Sequence, residues 1–259
     1  MNSWMWGAIG WSAASWLTSA LVKTEDYTIY FKIASGLSFA VAIMTLSIWK
    51  VKPKTVVEKP DYSMKGIIEI FNNRYLLLFL GIIFVHSLCT APLWTHQGLL
   101  LERLGASQKV MRMAFGLQAL FEIPFFFFAD RIIRKFGLNK TLVFVCPQWY
   151  SDCFGIRLVL QPLLPFYIES LHGITWSLFW VCCVQYMNEQ MGAQWRATGQ
   201  SILAAIYFGI GLILGNLISG ILIDIMSVPK IFLYSGIILL ICSLILFPLM
   251  AMRSKAILN

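Results

Sequence analysis

Eight apolar blocks, each near twenty residues or longer, leave few folds open to this sequence. They run near 4–22, 29–49, 75–101, 107–129, 141–160, 164–188, 197–224 and 229–252. About twenty helical residues cross a hydrocarbon core of about 30 Å. Within lipid every backbone N–H and C=O needs a partner inside the protein, so only helices and closed barrels can span. Barrel strands would alternate over about ten residues, and these blocks do not. The expectation is an all-α, polytopic membrane protein with about eight transmembrane helices. Charge supports it, because only 12% of the residues are charged, against about 25% in soluble domains.

The net charge of +8 is a topological signal, not a nucleic-acid one. With an even number of spans both termini share a side. Placing them in the cytoplasm puts Lys50, Lys52, Lys54, Lys59, Lys65, Arg131, Arg134 and Lys135 on the inner face, as the positive-inside rule demands. Arg157 falls within a span. The first block lacks the basic lead of a signal peptide, since no Lys or Arg precedes Lys23. The sequon Asn139-Lys140-Thr141 would lie in the cytoplasm and stay unmodified. The cysteines sit in apolar stretches without metal-ligand spacing, which reads as small buried hydrophobes.

One polar break divides the chain. Residues 50–65 are basic and carry Pro53 and Pro60, as a cytoplasmic linker would, and Ile67 to Arg74 suits a short helix lying on the membrane surface. The organisation expected is a two-helix piece over 1–49, a linker with an interfacial helix over 50–74, and a six-helix bundle over 75–259. Asp130 and Asp224 each close the second helix of a three-helix group, a weak sign of an internal repeat. Gly211 and Gly215 form a small-xxx-small pair suited to close helix packing. Pro92, Pro124 and Pro248 fall inside spans, where each removes a backbone hydrogen bond and predicts a kink.

Ionisable groups at membrane depth cost about 2.5–3.5 kcal/mol on insertion scales, so those present mark candidate function. His86, Glu122, Arg157 and His172 lie well inside spans, with Asp152 a fifth. Helical spacing groups their neighbours. His86, Thr90, Trp94 and Gln97 share one stripe; Gln118 and Glu122 are one turn apart; His172, Trp176 and Trp180 repeat along a third helix; Gln200 and Tyr207 share a face of a fourth. Such faces would line a common wet cavity, where indoles stack on rings and amides, imidazole and carboxyl fix hydroxyls or amines. Glu122, Arg157 and His172 are candidates for proton coupling. Plainer readings stand beside these. Glu122 and Arg157 suit a structural ion pair, His172 an interhelical hydrogen bond, and Trp176 and Trp180 a lipid-facing pair.

Several stretches resemble the lactose-permease-like branch of the major facilitator superfamily, which includes oligosaccharide, nucleoside and aromatic-acid permeases. They are Trp6-Gly7-Ala8-Ile9-Gly10-Trp11, Phe121-Glu122-Ile123-Pro124-Phe125, Ala129-Asp130-Arg131 with Phe136-Gly137, Leu171-His172-Gly173-Ile174-Thr175, and Arg196-Ala197-Thr198-Gly199-Gln200. The resemblance implies that the blocks correspond to family helices five to twelve. It makes 1–49 the remnant of an amino-terminal bundle, with helices one to four missing, and makes 75–259 a complete carboxy-terminal bundle of a partial major facilitator fold. It implies a solute site between the bundles, with Trp11 as the sugar-stacking indole, His172 as the binding and coupling imidazole, and Glu122 near the ligand-binding acid. Trp4 stands where that branch has its sugar-binding Arg, Thr175 where it has its proton-carrying carboxylate, and Pro92 and Thr95 where it has paired aspartates.

The function expected is secondary transport of a small polar solute such as a sugar or nucleoside, with protons as candidate coupling ion. Expected binding residues are Trp11, His86, Trp94, Gln118, Glu122, His172, Trp176 and Gln200. The alternative is a non-transporting truncated isoform that pairs with a full-length homologue. No cofactor, metal site or nucleic-acid partner is expected. No paired aspartates, zinc-type His spacing or Gly-x-Ser-x-Gly elbow suggests an enzyme.

Overall fold

The structure is a computed structural model and describes residues 3–21, 27–48, 72–103, 105–146, 164–191 and 193–256. Its regular elements are helical and follow the apolar blocks in order. They are α1 (Ser3–Leu21), α2 (Tyr27–Ile48), α3 (Arg74–Arg103), α4 (Gln108–Phe136), α5 (Leu138–Val145), α6 (Leu164–Gln190), α7 and α8 (Val228–Ala256). α7 is continuous but changes character along its length. Arg196–Ala204 is α-helical, Ala205–Gly211 π-helical and Leu212–Ile223 α-helical again. Among the described residues α3, α4, α7 and α8 are each long and apolar enough to cross a membrane. The linker 50–65, most of the interfacial segment, Asp152, Cys153 and Arg157 lie outside the described residues.

α4 runs on through its Pro124 and seven residues past the predicted end at 129, to Phe136. Its first turn is capped by the Ser107 hydroxyl, which accepts from the Val110 amide at 3.3 Å, satisfying one of the donors a helix start leaves open. Gly137 ends it with φ +86° while its N–H bonds back to the Ile133 carbonyl. That left-handed value favours glycine, and it lets α5 start at once in a new direction.

Two packed groups follow from where small residues fall. α4 lies between α1 and α6. A Cβ on Gly116 would collide with the Trp16 ring of α1, and one on Gly173 of α6 would collide with the Gln118 carbonyl of α4. The Ser12 hydroxyl adds a 3.0 Å bond to the Gly116 carbonyl. In the second group α3 packs on α7 and α8. Gly211 leaves room for the Ser87 side chain and Gly215 for Ala91 and the Leu88 backbone, whereas Gly209 and Gly220 face open space. The predicted small-xxx-small pair is thus the seam of the α3–α7 contact, close approach being what such residues permit.

α2 contributes little to either group. Its side chains from 31 to 47 are all exposed, as suits an apolar helix whose environment is lipid. The cysteines described are free thiols, with Cys89, Cys146, Cys182 and Cys183 buried and Cys242 half-buried.

Candidate functional site

Where α1, α3, α4 and α6 approach one another a cleft of about 400 Å³ opens. Its lining comes from all four helices. α1 supplies Trp4, Gly7, Ala8 and Trp11; α3 supplies Leu93, Trp94 and Gln97; α4 supplies Phe115, Gln118, Glu122 and Phe126; α6 supplies His172 and Trp176. The volume suits a small ligand, since binding sites for such molecules run to about 300–1,000 Å³. Six of the eight expected binding residues therefore meet here, namely Trp11, Trp94, Gln118, Glu122, His172 and Trp176, and Gln97 of the first stripe joins them.

The aromatic wall is built on α3 and α6. Trp94 stands edge-on to Trp176, with ring centroids 5.6 Å apart and planes at 78°, and edge-on to His172 at 6.1 Å. Trp176 in turn stacks on Trp180, at 5.6 Å and 22°. Trp180 is buried behind the cleft, where Trp4 of α1 meets it edge-on at 5.5 Å. The spacing of 172, 176 and 180 on one helix face puts these rings in a column. Trp94 and Trp11 stay exposed to the cleft, at 46% and 60%.

The polar wall is built from amide–carboxyl pairs. Gln118 Nε2 donates to Glu122 Oε1 at 3.2 Å, one helical turn away along α4, and Glu122 is buried. Gln97 of α3 donates from Nε2 to Oε1 of Glu169, a buried carboxyl on α6. Glu169 did not emerge from the sequence. It lies near the start of its apolar block, yet it stands three residues before His172, the helical spacing that puts two side chains on one face. No Lys or Arg is among the described residues of the lining.

Two expected binding residues lie elsewhere. His86 is buried and stacks on Phe179 of α6, with ring centroids 4.1 Å apart and 13° between planes. Gln200 bonds through Nε2 to the Val184 carbonyl and to Asn188 Oδ1, both at 3.1 Å, and so ties α7 to α6. Tyr207, expected on the face of Gln200, also meets α6, with its ring 5.7 Å from Trp176 and 5.5 Å from Trp180, and it bonds to α3 besides. Its hydroxyl pairs with Thr90 Oγ1 at 3.2 Å and its carbonyl accepts from Ser87 Oγ at 2.5 Å. Tyr207 lies within the π-helical stretch Ala205–Gly211, where i→i+5 bonding puts more residues in each turn. Among the described residues no group of three His, Cys, Asp or Glu side chains could hold a metal ion.

Apolar helices long enough to span a bilayer, joined by interhelical amide, hydroxyl and aromatic contacts around a cleft, are those of an integral, multi-pass membrane protein. The profile of the MFS_1 like family matches residues 2–234, and the chain belongs to that family. It is 24% identical over 240 residues to the uncharacterized transporter YwbF of Bacillus subtilis, covering 90% of this chain and 58% of that protein. It is 23% identical over 258 residues to the maltose permease of Geobacillus stearothermophilus, covering 97% and 63%. To the xanthosine permease of Escherichia coli it is 21% identical over 251 residues, covering 88% and 58%. The chain thus spans 58–63% of the length of these relatives. In three dimensions it is similar to the crystal structure of the nucleoside transporter NupG (D323A mutant), with a TM-score of 0.69 and 16% identity, over 95% of this chain and 66% of that one. At that identity the likeness establishes the fold.

Proposed function

We propose that the chain belongs to a permease for a small polar organic solute of the sugar or nucleoside kind, and that the cleft between α1, α3, α4 and α6 is its share of the solute path. The observation that carries this reading is the convergence of Trp94, Gln118, Glu122, His172 and Trp176 from three helices on one cleft. Indole faces bind ring-shaped solutes through stacking and apolar contact, and the amide and carboxyl groups bind their hydroxyls. Relatives of maltose and xanthosine permease type support the same solute classes. Trp11 adds a further indole from α1. On this reading 1–49 belongs to an amino-terminal bundle, 50–74 is a cytoplasmic linker, 75–259 is the carboxy-terminal bundle, and both termini face the cytoplasm. Glu122 and His172 are the groups in the cleft that can exchange protons.

Equilibrium binding of radiolabelled xanthosine and maltose to the purified chain in lipid nanodiscs tests it. Saturable binding of one of them, weakened by Glu122→Ala and by Trp94→Ala, is expected. If neither solute gives saturable binding over empty nanodiscs, the sugar-or-nucleoside reading is wrong.

A further inference from the structure

Both glutamines of the cleft are held in the same way, although they come from different helices. Gln97 of α3 gives its amide nitrogen to Glu169 of α6, and Gln118 of α4 gives its amide nitrogen to Glu122. A carboxyl in its ionised form only accepts hydrogen bonds, so in that form it selects the nitrogen end of an amide beside it. Both glutamines line the cleft, and neither amide oxygen forms a hydrogen bond with a described residue. We propose that Glu169 and Glu122 set the hydrogen-bonding polarity of the cleft by engaging the amide nitrogens of Gln97 and Gln118 and leaving both amide oxygens to the solute.

The inference deepens the proposed function and rests on its reading of the cleft as a solute site. Two unengaged amide oxygens and the Glu122 carboxyl make an acceptor-rich wall. Such a wall binds solutes rich in O–H and N–H donors. Neutral polyols and nucleosides fit this chemistry. Glu169 is then a positioning residue. It is buried and outside the lining, and it acts through Gln97.

The test compares xanthosine and maltose with their O-methylated analogues, which lack the hydroxyl donors, by binding to the full 259-residue chain in nanodiscs. A lost hydrogen bond that leaves a desolvated acceptor unpaired weakens binding by about tenfold. The methylated analogue is therefore expected to bind about tenfold worse than its parent in the wild type. Glu169→Gln weakens that discrimination, since an amide at 169 can offer Gln97 either an acceptor or a donor. Glu169→Leu and Gln97→Leu reduce it to about threefold or less, and where Glu169→Leu does not fold, Gln97→Leu carries the comparison. Discrimination that persists undiminished in the leucine variants overturns the proposal.

A second readout needs no solute. In ¹⁵N-labelled protein the Gln97 side-chain NH₂ signals, assigned by their loss in Gln97→Leu, are expected to exchange slowly with solvent and to change on comparing Glu169→Gln with the wild type. Signals indifferent to position 169 overturn the proposal whatever binds. Signals that respond while neither probe binds uphold the amide arrangement and overturn the sugar-or-nucleoside reading instead.

Discussion

Trp94 of α3 and Trp176 of α6 meet edge to face in one wall of the cleft, their ring centroids 5.6 Å apart and their planes at 78°. The two rings play different parts. Trp176 is 8% exposed and continues into the packed column through Trp180, whereas Trp94 is 46% exposed. An edge-to-face pair of this kind contributes about 0.5–1.5 kcal/mol beyond its buried area. It fixes the orientation of Trp94, the more open ring of the pair.

Trp94→Ala is therefore expected to weaken binding of a ring-shaped solute while leaving the fold in place. A stacking contribution of about 0.5–1.5 kcal/mol corresponds to roughly a two- to tenfold rise in Kd. Titration of the purified variant against the wild type checks this, with the thermal midpoint measured in parallel. An unchanged Kd would remove Trp94 from the site.

Gly215→Leu is expected to separate α7 from α3, because its side chain would enter space held by Ala91 and the Leu88 backbone. Overpacking of this kind costs about 1–3 kcal/mol. The same helix supplies an internal control. Gly209 and Gly220 have nothing within 4 Å of an added Cβ, so alanine there leaves the melting temperature unchanged or raises it. Equal losses at 215 and at 209 would contradict the seam.

Tyr207→Phe removes one hydroxyl and its 3.2 Å partner, Thr90 Oγ1, without changing the ring. Interhelical hydrogen bonds in membrane proteins contribute about 0.6 kcal/mol on average. A loss of that order is expected, with Thr90→Val giving a similar one and the double variant little more than either alone. Additive losses in the double variant would show that the two hydroxyls do not act on each other.

Gly137→Ala meets a backbone at φ +86°. An L-residue held at positive φ with this extended ψ costs about 1–3 kcal/mol. The expected outcome is destabilisation of that size at the turn between α4 and α5, read as a lower thermal midpoint. No loss would mean that the turn relaxes to negative φ.

Much of this molecule was legible without coordinates. Block lengths and the need to satisfy every backbone polar group in lipid gave the helices in order, and the 3.6-residue period put Trp94 beside Gln97 and His172 beside Trp176. Gly211 and Gly215 were recognisable as a packing seam because small residues four apart have that use in membranes. What periodicity reports is a face of one helix. It does not say which neighbour the face meets. His86 shares the stripe of Trp94 and Gln97, yet it lies two turns deeper in the packing and stacks on Phe179.

The sequence by itself determined that the chain is helical, membrane-embedded and equipped with polar and aromatic stripes, since each of these is a property of a single segment and its solvent. Tertiary structure decided which stripes converge. α4 is clamped between α1 and α6 at Gly116 and Gly173, and that clamp brings Gln118 and Glu122 opposite Trp94. It also decided that Gln97 meets Glu169, a pair 72 residues apart, and that Tyr207 reaches Thr90 of α3 as well as Trp180 of α6. Contacts between distant segments depend on how whole helices pack, and no local pattern encodes that.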